Sequence, residues 1–194
     1  VKAMVTFAGE RIEHRAAGFQ KNPQRWVMTP ANAKPRLPLM HERDRKLREL
    51  SETSDLNVAF AGSDRRIGFV TSGPAFMHVR ETFPNAPVLK LGFSCPPPLD
   101  KIRAFAGQVE TLIVVEETEL LLETEIRAAG IVVRGKDLLP SFGELAPSVL
   151  RPAIKPLLGE PCEVQRRPQA DVFPRPPTMC ASCPHLGPYF ALSH

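Results

Sequence analysis

Between residues 66 and 135, four short runs rich in β-branched and aromatic residues recur, and the stretches between them place their apolar residues at helical spacing. No other feature restricts the fold so tightly. "RIGFVTSG" predicts a strand over residues 67–71 that ends at Ser72 and Gly73; Phe76, Val79 and Phe83 then fall at i, i+3 and i+7, the stripe of an amphipathic helix. "VLKLGF" predicts a second strand, followed beyond the prolines at 96–98 by the same spacing at Ile102, Phe105 and Val109. "TLIVVEE" is the most apolar run and is expected at the centre of the sheet, with Leu121, Leu122, Glu125 and Ile126 carrying a helix to a terminal Gly130. "IVVRG" supplies the fourth strand. Strands separated by helices of ~10–15 residues call for right-handed crossovers and a sheet covered on both faces. The expected fold class is therefore α/β: an open, mostly parallel, doubly wound sheet with extended proline-rich flanks.

The flanks are less regular. Residues 1–12 admit a strand, residues 14–38 read as irregular, and His41 to Ser51 predicts an amphipathic helix with Leu47 and Leu50 inward. After Leu139, prolines at 140, 147, 152, 156, 161, 168, 174, 176 and 177 exclude long helices and central strands. That stretch is expected to run over a neighbouring surface. With 25 basic and 21 acidic residues the net charge is only +4, and the cluster Arg43, Arg45, Lys46 and Arg48 alternates with Glu42, Asp44 and Glu49. Such alternation reads as a solvated helix face, not a nucleic-acid stripe. No apolar run approaches the ~18 residues of a membrane span, so neither nucleic acid nor membrane is expected as a partner. Four cysteines make no secreted disulfide framework and suit a reducing cytoplasm.

In a parallel sheet, ligands gather at the carboxyl ends of the strands, which directs attention to "TSG" (71–73), "SCPPP" (94–98) and "VVEE" (114–117). A lone Gly73 favours a turn and cap over an anion cradle. Glu116 and Glu117 point to opposite sides at a strand end and favour a salt bridge over acid–base catalysis. Cys95 is read as a buried structural thiol, and His14, His41 and His78 are assigned no role. The Gly-x-Ser-x-Gly and His-Glu-x-x-His patterns are absent, so the central region carries no enzyme signature of its own.

Cys180, Cys183 and His185, in "CASCPH", form the chemically suggestive cluster. A turn of this spacing converges two sulfurs on one metal, but a tetrahedral site needs two further ligands. Cys162 and His185 would complete a zinc site only with unusual spacing. A thioredoxin-type dithiol would sit at the head of a helix after a first strand, and here a proline-rich stretch precedes it. The residues alone leave these alternatives open.

The segment "FPRPPTMCASCPHLGPYFAL" (173–192) resembles the Arg-Pro-Pro-x-x-Cys-x-Gly-Cys-Pro-His-Arg-Gly opening of the thiamine-diphosphate domain in the α subunit of indolepyruvate:ferredoxin oxidoreductases, members of the 2-oxoacid:ferredoxin oxidoreductase family. "NPQRWVMTPANAKPRL" (22–37), "ETSDLN" (52–57), residues 68–105 and "VVEETELLLETEIRAAGI" (114–131) resemble the same subunit. Ala181, Ser182 and Leu186 depart from its usual Pro, Gly and Arg. The resemblance implies residues 1–57 as the end of a pyrimidine-binding domain with its linker, 58–139 as a transketolase-C-terminal-like domain, 140–177 as a proline-rich linker and 178–194 as the start of the cofactor domain. It implies a central fragment of a larger catalyst, inactive in isolation. The whole enzyme would use thiamine diphosphate, Mg²⁺ and [4Fe–4S] clusters to convert aryl 2-oxoacids such as indolepyruvate to acyl-CoA. Its partners would be the remaining domains, a β subunit, ferredoxin and coenzyme A. Cys180, Cys183 and His185 would face the cofactor, with Cys180 and Cys183 as cluster ligands. The alternative is a stand-alone Rossmann-like interaction or metal-binding module without catalysis.

Overall fold

The computed structural model describes residues 18–162 and 183–193. His14, Cys180 and the strand admitted for residues 1–12 lie outside the described residues. The chain divides into two units, residues 1–164 and 165–194. In the first, helices α1 (Pro23–Trp26), α2 (Pro30–Ala33) and α3 (Leu37–Thr53) precede strand β1 (Asn57–Phe60). There follow β2 (Ile67–Ser72), α4 (Ala75–Thr82), β3 (Val88–Leu91), α5 (Leu99–Ala106), β4 (Thr111–Val115), α6 (Leu122–Ala128) and α7 (Pro147–Ile154). The described part of the second unit is α8 (Leu186–Ser193) and its approach.

The sheet order is β1-β3-β2-β4, with β3, β2 and β4 parallel and β1 antiparallel at the edge. Alternate residues of the parallel strands feed two separate cores, as strand geometry requires. Ile67, Phe69, Val88, Ile113 and Val115 pack on one face with Val79 and Phe83 of the α4 region and with Leu150 and Ile154 of α7. Val70, Leu89, Leu112 and Val114 pack on the other with Ile102 and Phe105 of α5 and Ile126 of α6. The sheet is thus covered on both faces, and the expected α/β class holds. Val109 lies beyond the end of α5 yet completes its stripe: a Cβ on Gly68 would come within 2.7 Å of Val109 Cγ1, so a side chain at 68 and the valine compete for one space.

Several expectations change. The sheet centre is β2, not β4. The apolarity of β4 reports burial on both faces and says nothing about its place in the ladder. The fourth run, residues 131–135, is reduced to one parallel bridge between Ile113 and Arg134. Its continuation fails because the amide that would pair next with β4, Lys136 N–H, donates to Glu123 Oε2 at 2.8 Å, while on the other side Gly135 N–H donates to Asp137 Oδ1 at 2.7 Å. Gly130, with φ +76°, is the left-handed residue that ends α6, as its position required. Residues 23–33 contain two short helices, each opened by a proline, where irregular chain was expected. Leu50 of α3 is exposed and Leu47 only half-buried; the residue of that helix that is buried is Ser51. Part of the proline-rich stretch also folds onto the body, because Leu145, Leu150 and Ile154 are fully buried in the first core. A proline at the first position of α7 costs that helix no hydrogen bond.

Candidate functional site

The chain leaves β2 through α4 toward one face and leaves β3 and β4 through α5 and α6 toward the other. Loops diverging in this way open a crevice at the carboxyl ends of the strands. Here it has a volume of about 520 Å³, bounded by Ser72–Pro74, Ser94–Pro97 and the stretch from Glu116 to Glu125. These are the three strand ends singled out in the sequence, now gathered around one space.

Its wall after β3 is held rigidly, from outside the loop. Three consecutive prolines, 96–98, offer no amide protons and no capping side chain to the start of α5. Glu52 of α3 supplies the cap: its two carboxylate oxygens accept from Asp100 N at 2.9 Å and Lys101 N at 3.0 Å. The buried Ser51 donates its hydroxyl to Pro96 O at 2.7 Å. Asn57 pairs with the backbone of Phe93 in both directions, accepting from its N–H at 2.9 Å and donating to its carbonyl at 3.0 Å. Lys101 Nζ returns to Ser54 O and Asn57 O. The run "ETSDLN" is therefore a clamp on the crevice wall. Sequence patterning missed this role, since its partners lie 36–49 residues away. With the prolines buried and tied to α3, Cys95 is left exposed, against the expected buried thiol.

On the opposite wall Glu116 is only 8% exposed. Its two oxygens accept from Leu122 N at 2.8 Å and Glu123 N at 2.9 Å, capping α6, while Lys136 Nζ donates to its carbonyl. A carboxylate at a helix N-terminus satisfies orphan amides and complements the dipole. The Glu116 side chain is thus a helix cap, and among the described residues it forms no ion pair, against the salt bridge expected. Glu117, Glu119 and Glu125 add negative charge to the lining, and the lining cation, Arg48, is paired with Asp44 at 3.1 Å. A crevice of this charge disfavours a phosphate-bearing ligand.

The other expected residues disperse. His78 Nε2 contacts Glu144 Oε1 at 2.9 Å on the surface, and His41 is exposed on α3. Arg45, Lys46 and Arg48 pair within α3 with Glu42, Glu49 and Asp44, the solvated face expected. The guanidinium of Arg45, with Lys46 beside it, holds the Glu42 carboxyl below its ordinary value.

In the second unit, Cys183 Sγ lies 3.4 Å from His185 Nδ1. Leu186 N–H donates to Cys183 O and Tyr189 N–H to His185 O, so both residues sit at the mouth of α8. Cys180 is outside the described residues. Among the described residues, no group of three or more His, Cys, Asp and Glu side chains is placed to hold a metal ion. No helix among them is long and apolar enough to cross a membrane.

No family model matches the chain. Six curated proteins do, each an indolepyruvate oxidoreductase subunit IorA. The subunit of Methanothermobacter thermautotrophicus is 34% identical over 202 residues, covering 97% of this chain and 33% of its own length. That of Pyrococcus horikoshii is 30% identical, covering 93% of this chain and 31% of the relative. That of Archaeoglobus fulgidus is 30% identical, covering 90% and 30%. Among solved structures, a 2-oxoglutarate:ferredoxin oxidoreductase from Magnetococcus marinus, determined with 2-oxoglutarate, coenzyme A and succinyl-CoA bound, superposes with a TM-score of 0.50. It is 20% identical, and the match covers 68% of this chain and 24% of that one, which establishes likeness of fold. The chain spans about a third of the length of the curated relatives it matches.

Proposed function

This chain is a homologue of the IorA subunit of indolepyruvate oxidoreductases over about a third of that subunit's length, and from that kinship we propose that it forms the central α/β segment of a 2-oxoacid:ferredoxin oxidoreductase. The reaction is the oxidative decarboxylation of an aryl 2-oxoacid such as indolepyruvate. The carbon–carboxyl bond breaks and carbon dioxide leaves, the acyl group passes to the sulfur of coenzyme A as its thiol proton is released, and the two electrons left pass one at a time to ferredoxin. Thiamine diphosphate, when bound in the complete enzyme, supplies the carbanion-stabilising chemistry. The observation that carries this reading is identity of 30–34% sustained over 90–97% of the chain. Similarity confined to a generic α/β sheet would not extend through both flanks.

The described residues do not by themselves fit the cofactors. The crevice is acidic where a diphosphate needs cations, and Cys183 with His185 offers two donors where an iron–sulfur cluster takes four ligands. The part proposed for this segment is therefore positioning. The two-faced sheet holds its neighbours at fixed spacing, the Ser51–Asn57 clamp fixes the crevice wall, and Cys180, Cys183 and His185 face the cofactor of the adjoining domain, with Cys180 and Cys183 offered to a [4Fe–4S] cluster. Residues 1–57, 58–139, 140–177 and 178–194 divide as the end of a pyrimidine-binding domain, a transketolase-C-terminal-like domain, a linker and the start of the cofactor domain. The partners proposed are the remaining domains, a β subunit, coenzyme A and ferredoxin, in the cytoplasm.

The test is coenzyme A-dependent reduction of ferredoxin by indolepyruvate, catalysed by the full-length subunit with its β partner and absent from the 194-residue chain. The chain alone should show no thiamine diphosphate binding by calorimetry. Stoichiometric binding by the chain, or one zinc per chain surviving dialysis, overturns the reading in favour of a self-sufficient module.

A further inference from the structure

Residues 18–50 contain no buried residue. That is physically anomalous, because short helices are marginal in water and take most of their stability from packing an apolar face. Near its C-terminal end helix α3 is tied to the loop before α5 and to the start of α5, through Ser51 and Glu52. At its other end Met28, Leu37, Leu39 and Met40 converge with Arg36 and Arg43 on a groove of about 530 Å³. Met28 is 62% and Leu39 66% exposed, and Trp26, two residues before Met28 in the chain, is 57% exposed. Apolar exposure on this scale, gathered in one concave place, marks an interaction site. The charge around it is one-sided: from Gly18 to His41 the chain carries Lys21, Arg25, Lys34 and Arg36 and no Asp or Glu.

We propose that this groove docks an apolar ridge rimmed by carboxylates, contributed by a neighbouring domain of the same subunit, the two-thirds of the polypeptide by which the curated relatives exceed this chain. The inference rests on the reading of the chain as a segment of that subunit. Two features select the occupant. The groove is concave and built from the α1–α2 link, α2, the turn at 34–36 and α3, whereas a lipid surface is met by a convex helical face. A second copy apposed across a two-fold axis would set Arg36 and Arg43 of the groove against the same two cations of its partner, and like charges facing each other oppose association. A protein ridge with an acidic rim meets both the apolar floor and the cationic edge.

Amide hydrogen exchange of residues 26–43 tests the proposal, comparing the 194-residue chain with the full-length subunit read through the coding sequence that carries it. Exchange should be at least about tenfold slower in the full-length subunit, while amides of β2 exchange alike in both. The double variant Leu37→Asp, Met40→Asp should abolish the difference without altering β2. Arg36→Glu with Arg43→Glu, which leaves the apolar floor intact, should reduce it. Equal exchange in the two proteins overturns the proposal. So does protection of the isolated chain by phosphatidylserine vesicles, or a dimer of that chain in sedimentation that Leu37→Asp, Met40→Asp dissociates. Protection in a full-length subunit that, assembled with its β partner, does not oxidise indolepyruvate supports the docking and refutes the functional reading instead.

Discussion

Gly135→Ala should destabilise the chain through one specific collision. An ideal Cβ at 135 would lie 2.2 Å from Glu123 Oε2 and 2.6 Å from its Cδ. Gly135 does not have a left-handed φ, so alanine is tolerated by the backbone and the effect isolates the lost space. The carboxylate has little freedom to yield. Glu123 is 1% exposed, accepts from Lys136 N at 2.8 Å, and holds Oε1 2.7 Å from Arg127 Nη2 in a coulombic pairing outside hydrogen-bond geometry. Overpacking alone costs about 1–3 kcal/mol, and displacing a buried carboxylate from its partners costs about 3–5 kcal/mol. A loss of about 3 kcal/mol is therefore expected, or a fall in Tm of about 6–12 °C for a domain of this size. Urea unfolding of Gly135→Ala, Glu123→Ala and the double variant measures the coupling. With the carboxylate gone, adding Gly135→Ala should cost less than about 0.5 kcal/mol, since neighbours that collide are non-additive. An equal loss in both backgrounds would refute the assignment of the cost to Glu123.

Three further outcomes follow from the crevice and its supports. Glu116→Ala should cost about 2–3 kcal/mol by urea unfolding, since it leaves two amides at the start of α6 without an acceptor; a loss under ~0.5 kcal/mol would show that water replaces the cap. Glu52→Ala should cost about 1 kcal/mol and speed amide exchange at Asp100 and Lys101 without affecting β4. Unchanged exchange there would remove Glu52 as the clamp on α5. Asp137 is subject to burial, which raises its pKa, but the Gly135 amide and Arg134 outweigh it and hold the carboxyl below 3.8. A depressed carboxyl stabilises the fold above its unfolded value and loses that contribution as pH falls through the folded one. Asp137→Asn should therefore lower Tm by a constant amount above pH ~3.8, and the two proteins should converge below it. Curves that run parallel through the acid range would contradict this.

The sequence disclosed what period and composition control, and hid what depends on partners distant along the chain. The stripes at Phe76, Val79 and Phe83 and at Ile102, Phe105 and Val109 were legible because each reports a helix facing a sheet, and the structure buries Val79, Phe83, Ile102 and Phe105 there with Phe76 and Val109 half-buried against them. Strand order was not legible: β4 reads as central because both faces of its residues are covered, a property it shares with β2 and β3. The fate of residues 131–135 was equally hidden. "IVVRG" has strand chemistry, but pairing is cut short by Glu123, a carboxylate that the linear pattern assigns to solvent. The crevice shows the same division. Its position at the ends of three strands followed from topology, whereas its supports did not, because Ser51, Glu52 and Asn57 act on loop 93–101 across about 36–49 residues of chain. In a doubly wound sheet the strand ends can be read from period alone. The groups that hold their loops are single polar residues with ordinary surface chemistry, and burial of Ser51 with its hydroxyl on the Pro96 carbonyl is what turns such a residue into a structural pin.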